Sequence, residues 1–508
     1  MAPPTPAATW IGFAAMGVGM FMAVLDVQVV ATSLPTIQAA LAIRPDQMSW
    51  IQTAYLIAEV IAIPLTGFLT RLLGMRGLSV AGLGLFTLAS AGCAGSTGFA
   101  SLIAWRIVQG LAGGTLIPAV FSAVFLVFPP ARQGVATMLA GVLAVLAPTV
   151  GPIVGGWITE TYSWPWLFLI NVAPGLAAAG LAWRLLPGAA PHLEEARRVD
   201  LLALVLLAVA LATLELALKE APERGWLSVP AVTLLGLCGA SALGFVHRTL
   251  RAARPLVELA TFADRNFTIG CALSFVLGIG LFGSVYLMPL HLAFVRGHDA
   301  LEIGEVMLAT GLAQLAAAPL AVALERRLDA RLLTAAGFAL FAAGIAMSAW
   351  QTPQTDGADM LWPQIVRGLA MMFCLLPPTR LALGRLTPAR VADASGLFNL
   401  MRTLGGAIGL ALIDTVVFGR APEHAAAIAA RLQAGDLDTA RFVGIPIKLF
   451  LERPPGPPDA ATRAILEPMV EAAALTQAID DAWALCAILT VAALLCVPFA
   501  RRVTATPR

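Results

Sequence analysis

Residues 50–70 read WIQTAYLIAEVIAIPLTGFLT, and what solvates that stretch decides the fold. As a helix it rises about 31 Å, the thickness of a bilayer's hydrocarbon core. Glu59 is its only charge. Gln52, Glu59 and Thr66 recur every seven residues and so share one helical face. A helix that is oily except for one polar stripe belongs in lipid. Its stripe either lines a cavity or pairs with a neighbouring helix for structure alone.

The rest of the chain has the same character. Of 508 residues, 59% are hydrophobic and 12% charged, and the mean hydropathy is +0.84. Soluble domains need about 25% charged residues to solvate their surfaces, so lipid must solvate most of this protein. A disordered chain, a disulfide-stapled secreted scaffold and a coiled coil are excluded. With 32 basic and 30 acidic residues the net charge is +2, which gives no field for a polyanion, and no nucleic-acid partner is expected. The six cysteines lie singly in apolar stretches and the five histidines form no cluster, so neither a metal nor a cofactor is expected. There is no GxxxxGK[ST] phosphate loop, HExxH or GxSxG, which argues against an ATP-driven pump and against an enzyme.

Fourteen apolar stretches are long enough to span: 9–31, 50–70, 79–98, 101–127, 135–158, 166–186, 201–219, 229–248, 267–290, 302–325, 332–350, 361–384, 394–418 and 482–500. None alternates as a barrel strand would. With the N-terminus in the cytoplasm, the inner loops and tail hold eighteen basic residues and the short outer loops four, so both termini lie inside. RIVQGLA (106–112) is echoed by QIVRGLA (364–370), and GPIVGG (151–156) by GGAIG (405–409). This weak repeat predicts an all-α membrane protein of two parallel six-helix bundles, 1–186 and 266–508. The segment 187–265 would link them and carry two additional spans. The long outer loop 419–480 holds EHAAAIAARLQAGDL, read as a short amphipathic helix, and the stiff run RPPGPP (453–458). It is either a tolerated loop or a docking surface.

Ionisable groups within the spans are costly, at about 2.5–3.5 kcal/mol for a charge at mid-helix. They are Asp26, Glu59, Arg106, Glu215, Glu305, Arg367, Arg380, Arg402 and Asp414. Glu59, with Gln52 and Thr66, is the strongest cavity candidate by spacing. Asp26 lies towards the outer part of the first span, where it could take a proton from outside or simply meet the headgroups. Glu305 sits near the start of its span, more in the manner of an interfacial group. Arg106, Gln109, Gly110 and Gly113 form one face, polar and then small, and Asn399, Arg402, Gly406 and Gly409 repeat it. Pro148, Gly151, Pro152, Gly155 and Gly156 predict a kinked, flat-sided helix for gating or sealing.

These motifs resemble the major facilitator superfamily, and within it the fourteen-helix drug:proton antiporters of the EmrB/QacA type, in the EmrB-like branch. The resemblance covers nearly the whole chain. It rests on LDVQVVATSLPTI (25–37), WRIVQGLAGG (105–114), GPIVGG (151–156), WPWLFLINVAPG (164–175), RNFTIGC (265–271) and RTLGGAIG (402–409). It implies a proton-coupling or substrate-facing role for Asp26, and a relay helix for Arg106 and Gln109. It implies an interdomain hinge and seal for Gly151, Pro152, Gly155 and Gly156. In GFLTRLLGMRG (67–77) Gly67, Arg71, Gly74 and Arg76 occupy the family's cytoplasmic gate loop. Arg71 stands where the family usually has Asp, so the usual gating charge pair does not carry over.

The expectation is therefore a proton-driven exporter of hydrophobic or amphipathic compounds in the bacterial cytoplasmic membrane. The resemblance adds a tripartite assembly, with a periplasmic membrane-fusion adaptor and an outer-membrane channel as partners. One alternative is a dedicated exporter of a single metabolite such as a siderophore, fatty acid or antibiotic, acting alone. Another is a non-transporting membrane scaffold or sensor, which leaves the acidic stripe unexplained.

Overall fold

The computed structural model describes residues 6–43, 47–188, 200–252, 255–451 and 460–502. The apolar runs fold as α1 (Pro6–Ala40), α2 (Trp50–Ala94), α3 (Phe99–Val127) and α4 (Pro130–Thr161). The short α5 (Trp166–Leu169) leads into α6 (Val172–Leu185), followed by α7 (Leu201–Arg224) and α8 (Val229–Arg251). Then come α9 (Arg265–His291), α10 (Ala300–Glu325), α11 (Ala330–Ala346), α12 (Leu361–Leu383) and α13 (Pro388–Gln433). The chain closes with α14 (Leu437–Val443), α15 (Ile447–Leu451) and α16 (Ala460–Leu494). Among the described residues twelve helices are long and apolar enough to cross a membrane. Each expected stretch falls on a helix or on one arm of α2. Asp200, Asp264, Asp299 and Asp329 start α7, α9, α10 and α11 by accepting first-turn N–H groups. Leu88, Leu176, Leu243, Leu312 and Leu332 stand exposed on the flanks, a surface that lipid rather than water covers.

Three cores hold the helices together. The first-half helices bury Met20, Phe86, Phe121 and Phe128 towards the cytoplasm and Val30, Ile51, Leu102 and Phe168 towards the outside. The helices after residue 265 bury Leu277, Phe338, Phe341, Met372 and Trp483. A third core joins the halves: Val60 and Ile63 of α2 meet Leu207 and Leu211 of α7 and Leu397 and Phe398 of α13. The inserted helices are thus wedged against the seam between the halves.

Two expected loops are helical. The gate segment 67–77 is the middle of a 45-residue helix, broken only at Gly74 with φ 72° and ψ 164°. That backbone conformation is open to glycine and strained for any residue with a Cβ. EHAAAIAARLQAGDL supplies the far end of α13 instead of a separate helix, because its alanine-rich run extends the span without a break to Gln433. Ile428 on that extension packs with Val443 of α14 and Ala473 and Ala474 of α16 as a small external cap with its own core. The run RPPGPP, together with Arg44, Arg197, Arg198, Arg254 and Arg508 of the charge count, lies outside the described residues.

Candidate functional site

The outer half of the first bundle converges on Asp26. Its helix, α1, packs beside α3, so that Asp26 and Arg106 form an ion pair with both side chains fully buried. Gln109, one turn along α3, donates Nε2–H to Asp26 Oδ1 at 2.9 Å and to Ser90 Oγ at 2.9 Å, and accepts from Arg106 Nη1 at 2.7 Å. Asn171, between α5 and α6, donates to the same Asp26 oxygen at 3.0 Å. Arg106 Nε donates to Ile51 O at 3.0 Å, and its guanidinium lies 4.3 Å from the Tyr55 ring centroid. A charge pair withdrawn from water persists only when its lone pairs and protons are largely satisfied, and Gln109, Asn171, the Tyr55 ring and the Ile51 carbonyl do this here. Among the described residues, Arg106 Nη2 alone in this group is buried without an acceptor.

Glu59 lies one turn beyond Tyr55 on α2 and is only 6% exposed. It makes neither a hydrogen bond nor an ion pair with any described residue. The stripe it anchors is not uniform. Gln52 is half-buried, whereas Thr66 is fully buried and turns its hydroxyl back to Ala62 O of its own helix at 3.5 Å. Glu305 is exposed near the outer end of α10, apart from the Asp26 group.

The second half buries two further arginines, Arg402 and Arg367. Arg402 Nη2 donates to Asn399 Oδ1 at 2.6 Å, Asn399 Nδ2 donates to Ser395 O at 2.9 Å, and the guanidinium sits 5.4 Å from the Phe121 ring of α3. Arg402 therefore reaches across to the first half. Arg367, which matches Gln109 in the repeat, lies 4.7 Å from the Trp483 ring and donates to Met288 Sδ at 3.9 Å.

The glycine faces set these distances. A Cβ on Gly110 would come within 2.3 Å of Tyr55 O, and one on Gly114 within 2.3 Å of Glu59 O. Gly368, which matches Gly110 in the repeat, sits against Thr310 O of α10 at 2.4 Å by the same measure. Gly405 sits against Phe275 O, and a Cβ on Gly406 or Gly409 would collide with Phe282 or Ile279 of α9. The seal motif is positioned differently from its expected part. Helix α4 runs unbroken from Pro130 to Thr161, and Gly151 faces Gln28 of α1 within the same half. Gly155 is buried, and its carbonyl accepts from Thr159 at 2.6 Å, with Gly156 half-buried beside it. The contact with the second half is Ile153 against Gly304 of α10. Pro152 lies in this helix.

At the cytoplasmic end the halves are latched. Arg71 pairs with Asp393 of α13, and Gly67 has no Cβ because one would strike Asp393. The charge pair lost by having Arg at 71 is therefore rebuilt with an acid on the other half. Arg76 donates to Leu186 O at 2.7 Å and ties the Gly74 bend to the end of α6. Sequence reasoning missed Asn171, Ser90, Tyr55 and Asp393. Asn171 was visible within WPWLFLINVAPG, and Asp393 lies one residue before an expected span.

A family model described as Major Facilitator Superfamily matches residues 16–410. The "Colistin resistance protein EmrB" of Acinetobacter baumannii is 37% identical over 418 residues, 81% of this chain and 80% of the relative. The "Multidrug export protein EmrB" of Escherichia coli K12 is 32% identical over 412 residues, covering 81% and 80%. The "Fatty acid resistance protein FarB" of Neisseria gonorrhoeae is 31% identical over 424 residues, covering 82% of each. Among solved structures, the human organic anion transporter MFSD10 (TETRAN) superposes with a TM-score of 0.59 at 14% identity, covering 96% of this chain and 100% of that one. The proton:xylose symporter XylE superposes with a TM-score of 0.56 at 13% identity, covering 95% of each. These two likenesses concern the fold.

Proposed function

The chain belongs to the major facilitator superfamily, and from that premise we propose proton-coupled export of hydrophobic and amphipathic compounds by alternating access, with Glu59 as the exchangeable proton site. It is a multi-pass protein of the bacterial inner membrane and a transporter. The names of its relatives, for multidrug export, colistin resistance and fatty acid resistance, support this substrate class. The observation that carries the site assignment is the contrast between two buried acids. Asp26 is fully engaged by Arg106, Gln109 and Asn171, whereas Glu59, also buried, makes no hydrogen bond or ion pair with any described residue. An acid without a counter-charge in a poorly solvated cavity is free to exchange a proton or to meet a substrate, and the engaged pair fixes the field around it.

The two units that rock are 1–186 and 266–508, with 187–265 as an insertion carrying α7 and α8. Repetition of the Gly110 contact at Gly368 supports this division. Each proton entering down 100 mV supplies about 2.3 kcal/mol, and coupling requires substrate and proton to favour different states. In proteoliposomes, Glu59→Gln should abolish transport driven by a pH gradient while leaving substrate counterflow. Full gradient-driven transport in that variant would remove Glu59 from the coupling role, and the same assay on Asp26→Asn separates the two acids.

The external cap of 419–480 is the surface on which a periplasmic adaptor of a tripartite pump would dock. A cleft of about 310 Å³ beside Leu432, Ile445 and Phe450 supports this reading. Deleting the cap should leave transport in vesicles intact and abolish resistance in cells. A dedicated single-metabolite exporter is the second reading, prompted by the relative named for fatty acid resistance. A panel of unrelated dyes and detergents in a pump-deleted host separates the two.

A further inference from the structure

The inserted pair of helices could be mere filler between the bundles, but its position says otherwise. Helix α7 is pinned at both ends. Asp200 caps its start, accepting from Ala203 N at 3.1 Å, and binds Arg248 Nε of α8 at 2.8 Å. At the outer end Lys219 Nζ donates to Ser49 Oγ at 2.8 Å and sits 4.8 Å from the Trp50 ring, at the head of α2. Just beyond α7, Trp226 Nε1 donates to Thr415 Oγ1 of α13 at 2.9 Å. The helix therefore stands in the seam between the halves, and Lys219 marks the face it turns to α2.

Glu215 is one turn inward of Lys219 on that same face. Leu211, one turn further inward on the same face, shares a core with Val60 and Ile63 of α2, so Glu215 stands on the α2-facing side between Leu211 and Lys219. Glu215, like Glu59, makes no hydrogen bond or ion pair with any described residue. From the other elements packed around Glu59, α1 presents Asp26 and α3 presents Arg106, which are already bonded to each other. Helix α13 presents Asp393, held by Arg71, and Arg402, held by Asn399. Near Glu215, α8 adds Cys238, with His247, Arg248 and Arg251 at its inner end. Asp414 of α13 is bonded by Tyr286.

We propose that Glu215 is a positioning residue for proton coupling: on the face of the inserted helix that meets α2 it sets a second carboxyl near Glu59, so that the inserted helix sets the pH at which Glu59 releases its proton. A second acid close enough to interact makes proton release a property of the two groups together and not of Glu59 alone. The inference rests on the reading of Glu59 as the exchangeable site. It gives the insertion a part in the transport cycle.

The test is proton release on adding a cationic amphiphilic dye to detergent-purified protein, followed across pH with an indicator. Glu59→Gln should release no proton. Glu215→Gln should still release it, with the midpoint moved to lower pH by about one unit, because a like charge beside Glu59 is gone. Glu215→Met, apolar and of similar length, should move it the same way, and Glu215→Asp should stay near the wild type. Dye binding by each variant reports whether it is folded, and the Met variant carries the test if the Gln variant is not. An unshifted midpoint in both neutral variants, with release still lost in Glu59→Gln, overturns this inference alone. Undiminished release from Glu59→Gln overturns the Glu59 reading and this inference with it.

Discussion

Asp26 and Arg106 show how much a single buried charge depends on its partner. Removing one member of such a pair costs about 3–5 kcal/mol, mostly from the charge left behind, whereas replacing both can be nearly neutral. Asp26→Asn should therefore lower the melting temperature in detergent and stop transport. Asp26→Asn combined with Arg106→Gln should recover much of the stability and none of the transport. A double variant as unstable as the single one would contradict this account. A second residue-scale effect lies outside the membrane. Arg296 donates to Asp356 Oδ2 at 2.8 Å, and with Gly357 N–H it holds that carboxyl down to about 2. A depressed acid stabilises its segment above its ordinary range, near 3.8, and the contribution is lost as the pH falls towards 2. Hydrogen exchange of 351–360 should rise across that window in the wild type and show no such step in Asp356→Asn. At this scale the sequence exposed Asp26, Arg106, Gln109 and Glu59, because a polar group in an oily run stands out. Asn171 did not stand out as a partner, since its bond to Asp26 spans 145 residues and no local spacing encodes it.

Helices reveal themselves in sequence through apolar runs, and that is also where the reading failed. Hydropathy ends a span wherever charge appears, so Arg71 and Arg76 made a loop of 67–77. The backbone departs from helix at Gly74 alone, because the arginines are satisfied by Asp393 and Leu186 O. The far end of α13 escaped in the same way, being helical without being apolar. The small-residue faces were legible, and they carry a prediction. Leu at Gly110 or Gly368 would strike a backbone oxygen that cannot move aside, and overpacking of this kind costs about 1–3 kcal/mol or more. Gly236→Leu on α8, where nothing lies within 4 Å, is the control. Thermal unfolding should separate the first two variants from the third, and equal loss in all three would mean that close approach is not what those glycines provide.

Across the whole molecule the polar chemistry is lopsided. The first half buries Asp26 against Arg106 and leaves Glu59 without a bond to any described residue, whereas the second bonds its acids Glu325 and Asp414 to Arg380 and Tyr286 and rests Arg402 and Arg367 on aromatic rings. The repeat was readable from RIVQGLA and QIVRGLA, but this difference was not, because Arg367 stands in the place of Gln109 and only the packing shows it meeting Met288 and Trp483. The latch between the halves is testable by charge reversal. Arg71→Asp should repel Asp393, spread the cytoplasmic bend of α2 from the start of α13, and slow transport about tenfold, equivalent to about 1.4 kcal/mol. Arg71→Asp with Asp393→Arg should restore both. Spin-label distances between the bend and the start of α13 read the spread directly, and no change in the single variant would show that the pair does not hold the halves together.

Helix α13 begins at that latch and runs 46 residues to the external cap, about 69 Å of unbroken rod at helical rise. A rod anchored at one end is a lever. Tilting it by about 10° at Asp393 would swing its far tip, about 60 Å away, by about 10 Å. A small rearrangement at the cytoplasmic face would thus be magnified into a large displacement outside, where anything resting on the cap could feel which way the pump is facing.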